Sequence, residues 1–412
     1  MIRLNVLLRF NHKTTIRVGQ LAEDQHQLYF QYDPDFLTKN LWLSPYKLPL
    51  KPEPVQHKDR GFSPAFGLFD DSLPDGWGLL LMDRFLRKQG YNIETLSVLD
   101  RLAFLGENTM GALIYEPALN LTINDSSPFN LHNLSKQSHN ILSGKTDVVL
   151  PQLMNAGGSP GGARPKVLVG VFKDKMVSGE TDLSEPFEHW IIKFVAENDF
   201  PDAGPVEYAY SLMAREAGIK MTETRLFDTP EGDHFFGIKR FDRRINHRFH
   251  VHTFGNLIHS NFRLPSQDYD HFFKIVINLT KNHQDLIRAF RQMAFNVVAN
   301  NRDDHVKNFA FIMNHKGEWS LSPAYDLIYS PGPGGEHSMT VLGEGKAPTK
   351  ADIYKLGEKH GIKKKTIGLI VDEVSDAVNN FQTSAETAGV TKTTLKRINA
   401  IIKNNLNEFS RT

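Results

Sequence analysis

The chain of 412 residues is long enough for two or three domains at roughly 150 residues each, with room for large buried cores. Lys and Arg total 48 against 47 Asp and Glu, and a net charge of +1 argues against a nucleic-acid coat, a polybasic membrane binder or an acidic tail. There is no cysteine, which excludes disulfides, thiolate nucleophiles, Cys-ligated zinc and iron–sulfur clusters, and fits a reducing compartment.

The amino terminus has only a short apolar stretch, Leu4 to Leu8, between Arg3 and Arg9, too brief for a secretion signal. No run approaches the roughly 18 apolar residues of a membrane span, so a cytoplasmic chain without membrane attachment is expected. Leu4–Leu7 and Leu28–Tyr32 predict strands, and Pro45, Pro49, Pro52 and Pro54 then break the pattern. After the turn Leu73-Pro74-Asp75-Gly76, Leu79, Leu80, Met82, Phe85 and Leu86 recur at helical spacing. Residues 118–136 are polar and rich in Asn and Ser, marking a loop or boundary. Strands are expected at 166–172, 189–195, 223–227 and 234–239, with a helix over 206–217. After Arg244 the pattern is mostly helical, with apolar stripes that include Phe272, Ile275, Val276, Leu279, Val298, Ile367, Ile370 and Val374. Met82, Met213 and Met293 read as core filler. This order, from β-rich through mixed to helical, predicts a two-lobed α+β enzyme with an extra amino-terminal module.

The densest chemistry lies in Asn300-Asn301-Arg302-Asp303-Asp304-His305-Val306-Lys307-Asn308-Phe309. Phosphoryl transfer needs a carboxylate to take the proton of an attacking hydroxyl and an amide oxygen nearby to hold magnesium, which protein kinases arrange as Asp-x-x-x-x-Asn. Asp303 and Asn308 have that spacing, and Arg302 precedes the Asp as in a kinase catalytic loop. Strand-like runs at 309–313 and 319–321 flank the turn Asn314-His315-Lys316-Gly317, so a hairpin would return Asp326 beside Asn308 as a second magnesium carboxylate. The plainer alternative makes Asp303 and Asp304 helix caps and Asp326 a turn residue.

A phosphate cradle is expected upstream, and Gly157-Gly158-Ser159-Pro160-Gly161-Gly162-Ala163-Arg164-Pro165-Lys166 is the most glycine-rich stretch of this half of the chain. It is neither a Walker A loop nor GxGxxG, and a surface loop is the alternative reading. Lys193, a lone cation in the apolar strand Trp190-Ile191-Ile192-Lys193-Phe194, suits a grip on the α- and β-phosphates. Glu207 on the following helix is a candidate partner, although an exposed glutamate is the simpler expectation. His250 and His252 share a strand face without a third ligand at metal spacing, so solvated histidines are expected. Lys355, Lys359 and Lys363–Lys365 read as a solvated basic face.

Several of these motifs together resemble the HipA family of bacterial serine/threonine kinases, the toxin halves of toxin–antitoxin pairs. The resembling pieces are Phe69-Asp70-Asp71-Ser72-Leu73-Pro74-Asp75-Gly76, Ser159–Lys166, Ile191–Phe194, Lys239-Arg240-Phe241-Asp242-Arg243, Asn301–Phe309 and Ser322–Asp326. They run in family order from about residue 60 to 330, while the first 50 and last 70 residues agree only in general character. The resemblance implies an α+β, two-lobed protein-kinase-like fold: a small β-rich N-terminal subdomain at 1–115, a mixed N-lobe with the Gly-rich loop at 116–243, and a mainly helical C-lobe at 244–412.

It further implies Asp303 as catalytic base, and Asn308 and Asp326 as magnesium ligands. The ATP site would comprise Gly161, Gly162, Ala163, Arg164, Pro165, Lys166, Lys193, the hinge Lys239, Arg240 and Phe241, then His305, Val306, Lys307, Asn308, Tyr325 and Asp326. Lys239 stands where the family usually has an acidic residue. Ser159 falls where members autophosphorylate, and a phosphoserine there would repel ATP phosphates. Members phosphorylate aminoacyl-tRNA synthetases, favouring dormancy and persistence, and are neutralised by a small DNA-binding antitoxin of HipB type. The implied cofactors are therefore ATP and Mg2+, and the implied partners a protein substrate and an antitoxin, without sequence-specific nucleic-acid binding by this chain itself. Two alternatives stand beside this reading: a small-molecule kinase on a related fold, and a non-catalytic nucleotide-binding regulator acting through the antitoxin.

Overall fold

The computed structural model of the chain describes residues 2–59, 61–119, 129–147, 149, 151–157, 161–179, 182–196 and 199–410. The first strand, Ile2–Asn11, buries Leu4, Val6, Leu8 and Phe10 on one face, the two-residue alternation of a half-covered sheet. It pairs antiparallel with Thr14–Asp24, a strand of weak apolar alternation in which only Val18 and Leu21 of the apolar residues are fully buried. Gln27–Tyr32 and Val55–Gln56 continue the sheet on that side, and Leu113–Glu116 lies on the other edge of the first strand. The same edge takes His247–Arg248, at Asn11↔His247, so the chain returns to this sheet after supplying all five strands of a second one.

The second sheet has five antiparallel strands in the order Lys175–Ser178, Lys166–Phe172, Glu188–Lys193, His234–Lys239, Thr224–Asp228. Two of these match the expected bounds, and the helix Gly76–Lys88 begins right after the expected turn. The helix Ala203–Glu216 starts three residues before its predicted beginning at Val206, because Gly204 and Pro205 already serve its first turn. The polar stretch expected as a loop at 118–136 instead ends in a helix, Leu131–Leu142, whose Leu131, Leu134 and Ile141 are buried among Asn and Ser.

The C-terminal lobe centres on Tyr269–Thr280, His283–Val298, Lys364–Asn379 and Lys392–Ser410, around a core that includes Phe272, Phe273, Phe290 and Phe295. It also carries a three-stranded sheet, His250–Thr253, Ala310–Met313 and Trp319–Leu321. His250 and His252 on that sheet are buried, not solvated as expected. His250 Nε2 donates to the Leu43 carbonyl at 3.1 Å, while His252 Nδ1 meets Asp71 at 2.6 Å and its Nε2 meets Ser44 Oγ at 3.0 Å. Burial pushes the His250 imidazole down to about 3, so it stays neutral. Lys363, Lys364 and Lys365 are exposed, and Met82, Met213 and Met293 are core. No helix among the described residues is long and apolar enough to cross a membrane.

The seam between the N-terminal sheet and the second sheet is polar and buried. Asp242 accepts from Arg240 Nε at 2.9 Å, Arg243 at 2.7 Å and the Gly111 N–H at 2.8 Å, and Arg243 in turn donates to the carbonyls of Gly111 and Thr109. Burial alone would raise the Asp242 carboxyl, but the two guanidiniums and the amide hold it far below the usual carboxylate range. Asp242→Asn would leave two buried cations undercompensated and is expected to cost about 3–5 kcal/mol in urea unfolding at neutral pH. Because the folded carboxyl titrates below the unfolded one, the contribution is fully present above pH ~4 and fades as pH falls further.

Candidate active site

The helix His283–Val298 ends at Ala299, and Asn300 turns the chain with a left-handed φ of 55°. From there a buried chain of hydrogen bonds fixes the next loop. Asn301 Nδ2 donates to Asn296 Oδ1 at 2.9 Å, Asn296 Nδ2 to the Tyr269 hydroxyl at 3.0 Å, and that hydroxyl to Asp304 at 2.7 Å. His337 Nδ1 at 3.0 Å and the Ser338 N–H at 2.8 Å also bond Asp304, so this carboxylate is structural and fully buried. With Asp304 turned inward, its neighbour Asp303 faces the cleft, its side chain 58% exposed.

Asn308 closes the loop by donating its Nδ2 to the Asp303 carbonyl at 2.7 Å. The Asp303 carboxyl is raised above its ordinary value by partial desolvation in the cleft and by nearby Asp326 and Asp304, against the pull of His305 and Arg164. His305 Nε2 stands 4.0 Å from it. The side chain of Val306 is core, set against Gly255, and Lys307 points back toward Asp70 and Asp75.

The expected hairpin forms between Ala310–Met313 and Trp319–Leu321. It returns Tyr325, whose hydroxyl donates to the Lys307 carbonyl at 2.7 Å, and then Asp326 at φ 52°. Lys193 Nζ is bonded both to Asp326 and, at 2.5 Å, to Glu207. Glu207 is therefore not the exposed glutamate expected from the sequence: it is buried, on the face of Ala203–Glu216 that also carries Val206, Tyr210 and Met213. A glutamate at helical spacing within an apolar stripe was the available signal.

Lys166 lies directly across from Lys193 in the antiparallel register and donates Nζ to the Gly161 carbonyl at 2.7 Å. Burial lowers the Lys166 ammonium, with Lys193 adding repulsion and Asp326 opposing. Asp326, which burial would raise, is held well below the usual carboxylate range by Lys193, Lys166 and Arg164. The Lys193 ammonium, which burial would lower, is raised by Asp326 and Glu207.

In the glycine loop, Gly162 has φ 99°, and a Cβ there would collide with Lys166 Nζ. Arg164 pairs with Asp199 at 3.0 Å, and the Pro165 carbonyl accepts the Phe194 N–H at 2.8 Å. Ala163 lies against Gly76 of the N-terminal domain. Ser159 lies outside the described residues. At the expected hinge, the Lys239 side chain pairs with Glu188 and the Arg240 side chain turns into the buried Asp242 cluster, while Phe241 stacks on Tyr325 at 5.6 Å. Gly161–Lys166, Lys193, Glu207, the Asp303–Asn308 loop and Asp326 thus converge on one cleft, and the Arg240 and Val306 side chains do not line it.

A family profile described as the HipA-like C-terminal domain matches residues 158–381, and one described as the HipA N-terminal domain matches residues 12–116. The chain belongs to the HipA family. As a HipA-family chain it superposes on the HipA of Shewanella oneidensis MR-1, solved with HipB and operator DNA, with a TM-score of 0.70. That match covers 99% of this chain and 97% of the other at 14% identity, a likeness of fold. A Sinorhizobium fredii protein named "Putative kinase Y4dM" is 25% identical over 213 residues, or 47% of the HipA-family chain, and the match spans 50% of that relative's length.

The hydroxyl of Tyr269 joins Asn296 to Asp304, so Tyr269→Phe would leave the buried Asn296 amide N–H without this partner, while Asp304 keeps His337 and Ser338. Thermal and urea unfolding should register a loss of about 1–3 kcal/mol.

Proposed function

We propose that this chain is a HipA-type serine/threonine protein kinase that transfers the γ-phosphoryl of ATP, with Mg2+, to a protein hydroxyl. The observation that carries the reading is Lys193 held between Glu207 and Asp326, with Asp326 near enough to Asp303 to help raise its carboxyl. A strand lysine paired with a helix glutamate is the arrangement with which protein kinases grip the α- and β-phosphates. The metal-binding residues fit: Asn308 spends its Nδ2 on the Asp303 carbonyl and keeps its amide oxygen, and Asp326 adds a half-buried carboxylate, hard oxygen donors of the kind Mg2+ prefers. Bound there, the ion neutralises charge on the phosphate oxygens.

In the transfer, Asp303 takes the proton of the substrate hydroxyl while the hydroxyl oxygen bonds to the γ-phosphorus and the bond from that phosphorus to the bridging β-phosphate oxygen breaks, releasing ADP. Lys193, Lys166 and the loop amides other than those of Gly162 and Pro165 supply positive potential to the phosphates. At the hinge, the Lys239 N–H bonds Glu223, its carbonyl accepts from Thr222, and the Arg240 N–H bonds His189. Among the described residues this leaves the Arg240 carbonyl and Phe241 N–H for the adenine edge. Ser159 would be the autophosphorylation site, an aminoacyl-tRNA synthetase the protein acceptor, and a HipB-like DNA-binding antitoxin the partner.

After phosphatase treatment, incubation with Mg2+ and ATP should add one phosphate to the wild type, mapped to Ser159 by peptide mass spectrometry. Asp303→Asn is expected to lower ADP formation by roughly 100-fold or more and to abolish that gain. A wild type that forms no ADP would sink the kinase reading.

The pH profile gives an independent check on the base. Since Asp303 acts deprotonated and its carboxyl is raised, kcat/KM should fall as pH drops through a midpoint above the ordinary ~4. An acid limb at or below that value would count against Asp303.

A further inference from the structure

We propose that Asp75, supplied by the N-terminal domain, is a positioning residue of the transfer site that ties the phosphate loop to the catalytic loop. The inference rests on the kinase reading above and adds to it a part for the domain outside the two lobes.

Asp75 immediately precedes the helix Gly76–Lys88, where an aspartate ordinarily caps its own helix by accepting an N–H of the first turn. Here it makes no such bond. One carboxylate oxygen instead accepts the Gly162 N–H, and the other lies 3.3 Å from Lys307 Nζ. Forgoing a cap costs about 1 kcal/mol, so the carboxylate is committed across the domain boundary at the expense of its own helix.

The next two residues hold the same loop. Gly76 has φ 44°, and a Cβ on it would come within 2.7 Å of Ala163 Cα and 2.8 Å of the Gly162 oxygen, so only a bare backbone fits there. The Trp77 N–H donates to the Gly162 carbonyl at 3.1 Å, and its buried indole Nε1 donates to the Lys166 carbonyl at 3.3 Å. Both backbone polar groups of Gly162 are thus bonded by the N-terminal domain.

The other end of the bridge is Lys307, next to Asn308. Its ammonium is shared between Asp75 and Asp70, the latter at 3.2 Å, and sits 4.9 Å over the Phe262 ring. Asp70 is itself fixed by Ser63 at 2.6 Å and Asn256 at 3.0 Å. Burial would raise the Asp75 carboxyl, but Lys307, the Gly162 amide and Lys166 hold it below its ordinary value, so it remains an anion. One carboxylate therefore connects the two loops that must meet on the same phosphoryl group.

Two substitutions separate its two bonds. Asp75→Asn keeps a neutral acceptor for Gly162 and loses the ion pair with Lys307, and Asp75→Ala loses both. Calorimetric Kd for Mg·ATP and the steady-state rate of ADP formation would be measured on the full chain. Asn is expected to lower kcat about tenfold with Kd within about twofold, and Ala to weaken Mg·ATP binding about tenfold as well, in line with charge-assisted bonds of about 1.5–3 kcal/mol. Asp75→Glu should restore part of both, and Asp75→Asn combined with Lys307→Met should cost little more in kcat than either alone. Variants with wild-type kcat and Kd but lowered melting temperature would reduce Asp75 to a structural seam and overturn the inference. Tighter Mg·ATP binding in either would make Asp75 a competitor of the phosphates and overturn it too. A wild type that neither binds Mg·ATP nor forms ADP would overturn the kinase reading itself, and this inference with it.

Discussion

A buried ammonium group organises this molecule. Lys193 sits on the third strand of a five-stranded sheet, where its charge is almost removed from water. An unpaired cation there would cost several kcal/mol, so its position demands anions from elsewhere in the chain. Glu207 answers from the helix behind the sheet, and Asp326 from the hairpin of the other lobe. Three separate elements, one of them more than a hundred residues on, must therefore be correctly placed together. A hydrophobic replacement could satisfy packing as well, but it could not draw Asp326 to that point.

The same logic repeats at the boundaries of the N-terminal domain. Arg240, Asp242 and Arg243 bury a charge cluster against Gly111, and Asp71 accepts bonds from the Thr253 N–H and hydroxyl and from Asn256. Such seams are directional where apolar contacts are not, because each bond fixes an angle as well as a distance. Apolar cores hold each unit together, and polar seams set how the units face one another.

Much of this was legible in the residues. The interval from Asp303 to Asn308, the lysine alone in an apolar strand and the two runs flanking Asn314–Gly317 each report a local rule, and local rules survive in sequence. The division of labour between Asp303 and Asp304 was not legible, since adjacent identical side chains differ only in which meets Tyr269 and His337. Glu207 was misjudged because its burial is decided by Lys193, fourteen positions away and on another element. His250 and His252 were misjudged for the same reason, as their partners Leu43, Ser44 and Asp71 lie about two hundred positions upstream. Partners about two hundred positions away leave no periodic trace at the histidines, whereas Glu207 did carry one in the apolar stripe of its helix.

The return of His247–Arg248 to the edge of the first strand bears on how the chain is made. Asn11 pairs with His247, so 247 − 11 = 236 residues separate the two sides of that contact. At about 5–20 residues per second, a ribosome needs on the order of 10–50 s to supply the second from the first. Through that interval the nascent amino-terminal sheet carries an unfilled strand edge near Asn11, of the kind that recruits a neighbouring chain. Completion of the first domain is thereby deferred until Gly161–Lys166, Lys193 and Lys239–Phe241 have all been synthesised.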